Sequence, residues 1–155
     1  MAYLGILTRM SIIKFNPICM ERVWGGRRLE EIFGRELPEG KRIGETWEVV
    51  DRSETQSIVA EGPHKGSSLH ELIETQTEWI LGADWPRARP FPILVKWLDC
   101  TERLSLQVHP PASVALQLCG EPKTENWYVA EAAPGAGLIA GLRSGVTEEA
   151  FEKAL

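Results

Sequence analysis

Apolar and polar residues alternate without a break over residues 104–109. Leu104, Leu106 and Val108 fall on one face of an extended chain, and Ser105, Gln107 and His109 on the other, until Pro110 stops the run. The pattern predicts a half-buried strand with one apolar face and one carrying a hydroxyl, an amide and an imidazole. Lys123 and Glu125 repeat the i, i+2 spacing and predict a partner strand over residues 123–130. Alternation also predicts a strand over residues 43–50, with Glu45, Trp47 and Val49 on one face and Thr46, Glu48 and Val50 on the other. Glu45 and Glu48 then point apart, so they do not form a catalytic carboxylate pair. Further strands are predicted over residues 11–17, 57–60, 91–98 and 138–142.

Helices are announced by their ends. Ser68 followed by Glu71 is a capping box, predicting a helix from Leu69 to about Gln76 with Leu72 and Ile73 inward, and residues 79–81 end a further helical piece. Residues 27–33 and 112–118 predict short helices, and Thr147 caps another whose acidic first turn, Glu148 and Glu149, suits the helix dipole. Many short strands separated by Gly and Pro favour a mainly β architecture with added short helices (α+β) over a doubly wound sheet. No linker divides residues 1–155, which read as one domain or part of one, residues 1–9 being an extension.

Charge and cysteine content narrow the classes. The 155 residues carry a net charge of -5, against a nucleic-acid or anionic-membrane surface, yet a local Lys/Arg cluster still suits a phosphorylated ligand. No stretch reaches the ~18 apolar residues needed to span a bilayer, and residues 1–9 lack the basic flank of a secretory signal. Cys19, Cys100 and Cys119 read as free thiols in a reducing cytoplasm, Cys119 more as a small buried hydrophobe than as a metal ligand. His64 and His70 read as surface residues.

Gln107, His109 and Glu125 offer one nitrogen and two oxygens to a borderline divalent metal if their strands are neighbours. By spacing alone this is a weak signal, with no HxxxH or CxxC framework behind it. Trp24, beside Gly25 and Gly26, reads either as a core aromatic or as the flat wall of a sugar site. Lys96 interrupts an apolar strand, where a lysine ordinarily snorkels to the surface.

Longer strings carry more. Residues 104–110 (LSLQVHP) and 123–128 (KTENWY) resemble the LSVQVHP and KTExWY motifs of type I mannose-6-phosphate isomerases. Upstream, in the same order, residues 21–26 (ERVWGG), 43–48 (IGETWE) and 91–96 (FPILVK) are similar to that family's ERVWGG, IGESWE and FPLLVK. The resemblance runs from about Pro17 onward and corresponds to the family's amino-terminal half; a second metal-binding His and an Arg-bearing segment belong to the other half. Pro111-Ala112 stands where the family has acidic residues, and Pro122 where it has glycine, which bears on loop geometry rather than on the proposed ligands.

The resemblance implies a cupin-type jelly-roll barrel, incomplete in this chain, and reversible isomerisation of mannose 6-phosphate and fructose 6-phosphate at a Zn2+ site. Gln107, His109 and Glu125 would be metal ligands, Lys123 and Lys96 catalytic, and Ser105 and Trp24 would meet the phosphorylated sugar. A non-catalytic sugar-binding module is the alternative from another class, and a purely structural role for the motifs is a third. Metal content and turnover separate them.

Overall fold

The computed structural model describes residues 12–86, 89 and 91–154. Two compact units divide the chain, Met1–Leu106 and Gln107–Leu155.

In the first unit, β1 (Ile18–Gly26), β2 (Ile43–Val49) and β5 (Val95–Leu98) form an antiparallel sheet in the order β1-β2-β5. Trp47 lies directly opposite Lys96, and Glu45 opposite Leu98. Over residues 45–48 the faces of β2 are those the alternation predicts, and both are occupied; a register shift between Trp47 and Val49 ends the regular alternation. On the core side Arg35 donates to both Glu48 carboxylate oxygens at 2.7 and 2.9 Å and lies over the Phe33 ring, which packs on Trp97 at 4.9 Å. Leu29, Leu37 and Ile43 form the buried cluster there, with Cys19 and Trp97 against it. Ile43 reaches that side despite its odd number because the β1–β2 register slips beyond Met20.

Two glycines make the slip possible. A Cβ on Gly25 would stand 2.4 Å from the Gly44 nitrogen, and one on Gly44 would stand 2.6 Å from Trp24 Cζ3 and from Arg22 Cβ. Helix α1 (Arg28–Phe33) ends at Gly34 with φ 60°, and lacks a side-chain cap of its own. Asp99 supplies one from beyond β5, accepting from the Arg28 backbone N–H at 2.6 Å.

A two-stranded hairpin, β3 (Asp51–Arg52) with β4 (Thr55–Gln56), follows β2. Buried Ser57 then ties three segments together. Its Oγ accepts from Val50 N–H at 2.9 Å, its N–H donates to Val50 C=O at 2.8 Å, and its C=O accepts from Leu69 N–H at 2.8 Å. Helix α2 (Leu69–Leu81) begins at the expected capping box, with both reciprocal bonds formed, and buries Leu69 and Leu72. The two expected helical pieces merge across a kink at Gln76, whose backbone is not helical (φ -138°, ψ 41°).

The second unit holds α3 (Ala112–Ala115) and α4 (Glu148–Glu152), the latter capped by Thr147, whose side chain accepts from Ala150 N–H. Both expected helices are present, α4 where its Thr147 cap places it and α3 about one turn shorter than expected.

Several strand expectations are corrected. Residues 104–109, 123–130 and 138–142 form no strand, so Ser105, Gln107 and His109 do not share a strand face, and Glu125 does not lie on a neighbouring strand. Alternation sets which way side chains would point, but a strand also needs a partner ladder, and among the described residues none runs along these segments. Leu106 and Val108 are correspondingly 62% and 76% exposed. Of residues 91–98 only Val95–Leu98 pairs, and residues 57–60 contribute isolated bridges, Phe15↔Val59 and Ile58↔Ser68, rather than a strand. The expected strand over residues 11–17 is reduced to the bridge at Phe15; Ser11 lies outside the described residues, as does the extension at residues 1–9. The described architecture is small antiparallel sheets with a few short helices, without a closed barrel among these residues. No described helix is long and apolar enough to cross a membrane.

Candidate functional site

Strand β2 turns Glu45 and Trp47 to the face opposite the core, where β5 adds Lys96 and β1 adds Arg22. Glu45 is only 7% exposed, and a carboxylate is costly to bury unless donors surround it. Three do. Trp47 Nε1–H donates to Oε2 at 2.7 Å, Arg22 Nη2 approaches the same oxygen at 3.4 Å, and Lys96 Nζ approaches Oε1 at 3.5 Å. The neutral indole thus makes the short bond and the two cations stand off. Lys96 is drawn neither to bulk solvent nor into a tight ion pair. Its ammonium rests half-buried on the sheet face beside a fixed negative charge, with donor capacity left for a further partner.

Trp24 lies next to this group. Its ring edge rests over Gly44, and its backbone carbonyl accepts from the Thr101 N–H at 2.9 Å. The half-buried Trp24 side chain and the stem of Arg22 both approach Gly44. Ser105 is exposed, on the segment after β5.

In the second unit, Lys123 Nζ stands 3.1 Å from Glu125 Oε1, so the i, i+2 pair forms without a strand to impose it. Both side chains are about one-third exposed, where solvent screens the attraction. His109 is half-buried and Gln107 exposed. As donors, an imidazole, an amide oxygen and a carboxylate suit zinc in kind. Among the described residues, however, no three or more His, Cys, Asp or Glu side chains gather to hold a metal ion, and Glu125 already faces an ammonium.

Cys119 is not the small buried residue expected. It is exposed, at a turn with φ 50°, while Cys19, Cys100 and Cys119 are all free thiols. Burial pushes the Cys19 thiol up, the nearby Arg35 guanidinium opposing this, and Cys19 packs against the Leu29, Leu37 and Ile43 cluster. His70, on the surface as expected, bridges Asp51 at 3.2 Å and Glu74 at 3.4 Å.

Sequence reasoning missed Glu45. It rejected the Glu45/Glu48 pair, correctly, since Glu48 is bound to Arg35 behind the sheet. The signal for Glu45 alone was present: an acidic residue between Gly44 and Thr46, sharing its strand face with Trp47 and cross-strand Lys96.

Comparison with known proteins adds three findings. Residues 12–135 match the family described as phosphomannose isomerase type I, catalytic domain. Among curated proteins, the chain is 38% identical over 136 residues to a probable mannose-6-phosphate isomerase of Bacillus subtilis, covering 86% of this chain and 42% of the relative. It is 38% identical over 130 residues to the mannose-6-phosphate isomerase of Streptococcus mutans, covering 83% and 40%. The crystal structure of mannose 6-phosphate isomerase from Bacillus subtilis superposes with a TM-score of 0.61 at 36% identity, over 71% of this chain and 34% of that one. A mutant phosphomannose isomerase from Salmonella typhimurium, at 23% identity, shares the fold with a TM-score of 0.60 over 70% of this chain and 28% of that one. The chain thus spans about two-fifths of the length of these curated relatives.

Proposed function

The chain belongs to the type I phosphomannose isomerase family, and on that premise we propose that it serves the reversible conversion of mannose 6-phosphate to fructose 6-phosphate, as the amino-terminal, motif-bearing part of a cupin-type jelly roll. One observation carries the reading. The catalytic-domain match over residues 12–135 takes in every candidate residue: Trp24, Lys96, Ser105, Gln107, His109, Lys123 and Glu125. A reducing, cytoplasmic setting accords with three free thiols.

The reaction moves a proton between adjacent carbons of the sugar and needs the carbonyl polarised with an acid or base in reach. Gln107, His109 and Glu125 would hold a Zn2+ ion, whose contribution is Lewis-acid polarisation of that carbonyl. Lys123 brings a positive charge to the oxygen where negative charge develops, and its i, i+2 pairing with Glu125 keeps it beside that ligand. Lys96 adds countercharge, Ser105 donates to the phosphate, and Trp24 offers an apolar wall.

A chimera tests this: residues 1–155 fused to the remainder of the Streptococcus mutans relative, assayed for conversion of mannose 6-phosphate. Zinc-dependent turnover is expected. His109→Ala should lower zinc occupancy and turnover together, whereas Lys123→Ala should keep its zinc and lose turnover by about 100-fold, the cost of one positioned electrostatic group. A folded, zinc-loaded chimera that binds the sugar without converting it would establish the non-catalytic reading instead. Unchanged zinc in His109→Ala would remove the ligand assignment.

A further inference from the structure

The Glu45 carboxylate is held in an uneven way. Its short bond, 2.7 Å, comes from the neutral Trp47 indole, while the Arg22 guanidinium and the Lys96 ammonium stand at 3.4 and 3.5 Å, one toward each oxygen. Charge-assisted bonds are ordinarily the shorter ones, about 2.7–2.9 Å. The carboxylate therefore takes its orientation from the indole, not from the cations. The strand geometry explains why. Glu45 and Trp47 are two apart on β2, so both side chains share a face, and Trp47 is the direct cross-strand partner of Lys96. The indole N–H reaches back to Oε2. Oε1 is left facing Lys96.

From this we infer that Trp47 is a positioning residue for Lys96: the indole N–H locks Glu45, and Glu45 in turn sets where the ammonium stands. Held at 3.5 Å, it keeps donors for an anionic or hydroxyl-bearing ligand, while the locked carboxylate prevents it from swinging to solvent. A tight Lys96–Glu45 pair would spend the charge, and a free Lys96 would spread over many rotamers. The role as a positioning group for turnover rests on the isomerase reading; the lock itself does not.

The experiment has two arms for that reason. In the first, residues 1–155 are acylated briefly with an amine-reactive ester, and Lys96 modification is read by mass spectrometry against exposed Lys65 as internal standard. Trp47→Phe, which keeps an aromatic ring and removes the N–H, should raise Lys96 labelling about three-fold or more, as should Glu45→Gln. Because the indole acts through the carboxylate, the double variant should label no faster than Glu45→Gln alone. Trp79→Phe, which removes a different indole, should match wild type. Wild-type labelling in Trp47→Phe, or additive increases in the double variant, would overturn the lock.

Should Trp47→Phe fail to fold, the Trp47 indole proton resonance decides: it should be downfield and slow to exchange in wild type and should lose both properties in Glu45→Ala, which removes the acceptor. An unchanged resonance would likewise overturn the lock. In the second arm, in the chimera described above, Trp47→Phe should lower kcat about ten-fold with KM within about two-fold, the split expected when a group is misplaced in the transition state. Increased labelling with unchanged kcat would confine the lock to structure and remove Lys96 from turnover. A chimera without turnover would sink the isomerase reading and leave the labelling result standing.

Discussion

A methyl group at Gly44 has nowhere to go. Trp24 Cζ3 and Arg22 Cβ both lie 2.6 Å from the point where it would sit, and Arg22 is one of the two cations beside Glu45. Gly44→Ala must therefore push the indole and the arginine off the sheet together, with an overpacking cost of about 1–3 kcal/mol. Urea unfolding of Gly44→Ala should show that loss, whereas Gly137→Ala, where a Cβ would meet nothing within 4 Å, should stay within about 0.5 kcal/mol of wild type. A Gly44→Ala midpoint equal to wild type would mean that β1 and β2 need no close approach there. At this scale the sequence was informative about type but not about neighbours. Gly25 and Trp24 announced an unusual position, and Gly44 did not. That they meet one another depends on a register slip which no local pattern encodes.

At the scale of elements, what could be read depended on whether the governing interaction is local. The capping box of α2 is contained within four residues, so Ser68 and Glu71 placed the helix start correctly. Strand β2 was legible because its alternation is matched by partners on both sides, β1 and β5. The same alternation over residues 104–109 predicted a strand that is not formed, since a ladder is a property of two segments. The β3–β4 hairpin escaped notice because its residues, Asp51, Arg52, Thr55 and Gln56, are all polar and its turn, Ser53-Glu54, has neither Gly nor Asn.

That hairpin carries a pH-dependent tie to α2. The Asp51 carboxylate bonds the His70 imidazole and, by that bond and its charge, holds its pKa above the ordinary 6.5 against the opposing effect of desolvation, with a smaller contribution from Glu74. A raised folded-state pKa means that the protonated form favours the fold. The stabilisation is complete below the unfolded value and fades as pH rises through the folded one. Melting temperatures of wild type and His70→Gln should thus differ most below pH 6.5, and the gap should shrink as pH rises above it. Because His70 is exposed, the gap should be small. A gap that widened toward high pH would show that the tie is not ionic.

For the whole molecule, the sharpest expectation concerns residues 1–155 tested alone: weak zinc binding and little or no isomerase turnover. Three donors of the right kind can be named, Gln107, His109 and Glu125. Catalytic zinc sites held by three protein ligands, though, draw mostly on His, Cys and carboxylate, and an amide is a poor substitute. Glu125 is further engaged by Lys123 at 3.1 Å, so a metal must compete with that ammonium for the carboxylate. The second unit also leaves Val108, Trp127, Tyr128 and Ile139 exposed, an apolar surface that favours association at high concentration. The motifs that made the family legible are short strings of residue types, and such strings encode neither a strand ladder nor the packing that brings side chains together. That is why the family could be read from the sequence while the geometry of the ligand set could not. Elemental analysis after dialysis, together with a coupled assay on mannose 6-phosphate with and without added Zn2+, measures both quantities at once. Stoichiometric zinc surviving dialysis, with robust turnover from a soluble monomer, would mean that these residues alone build a complete site.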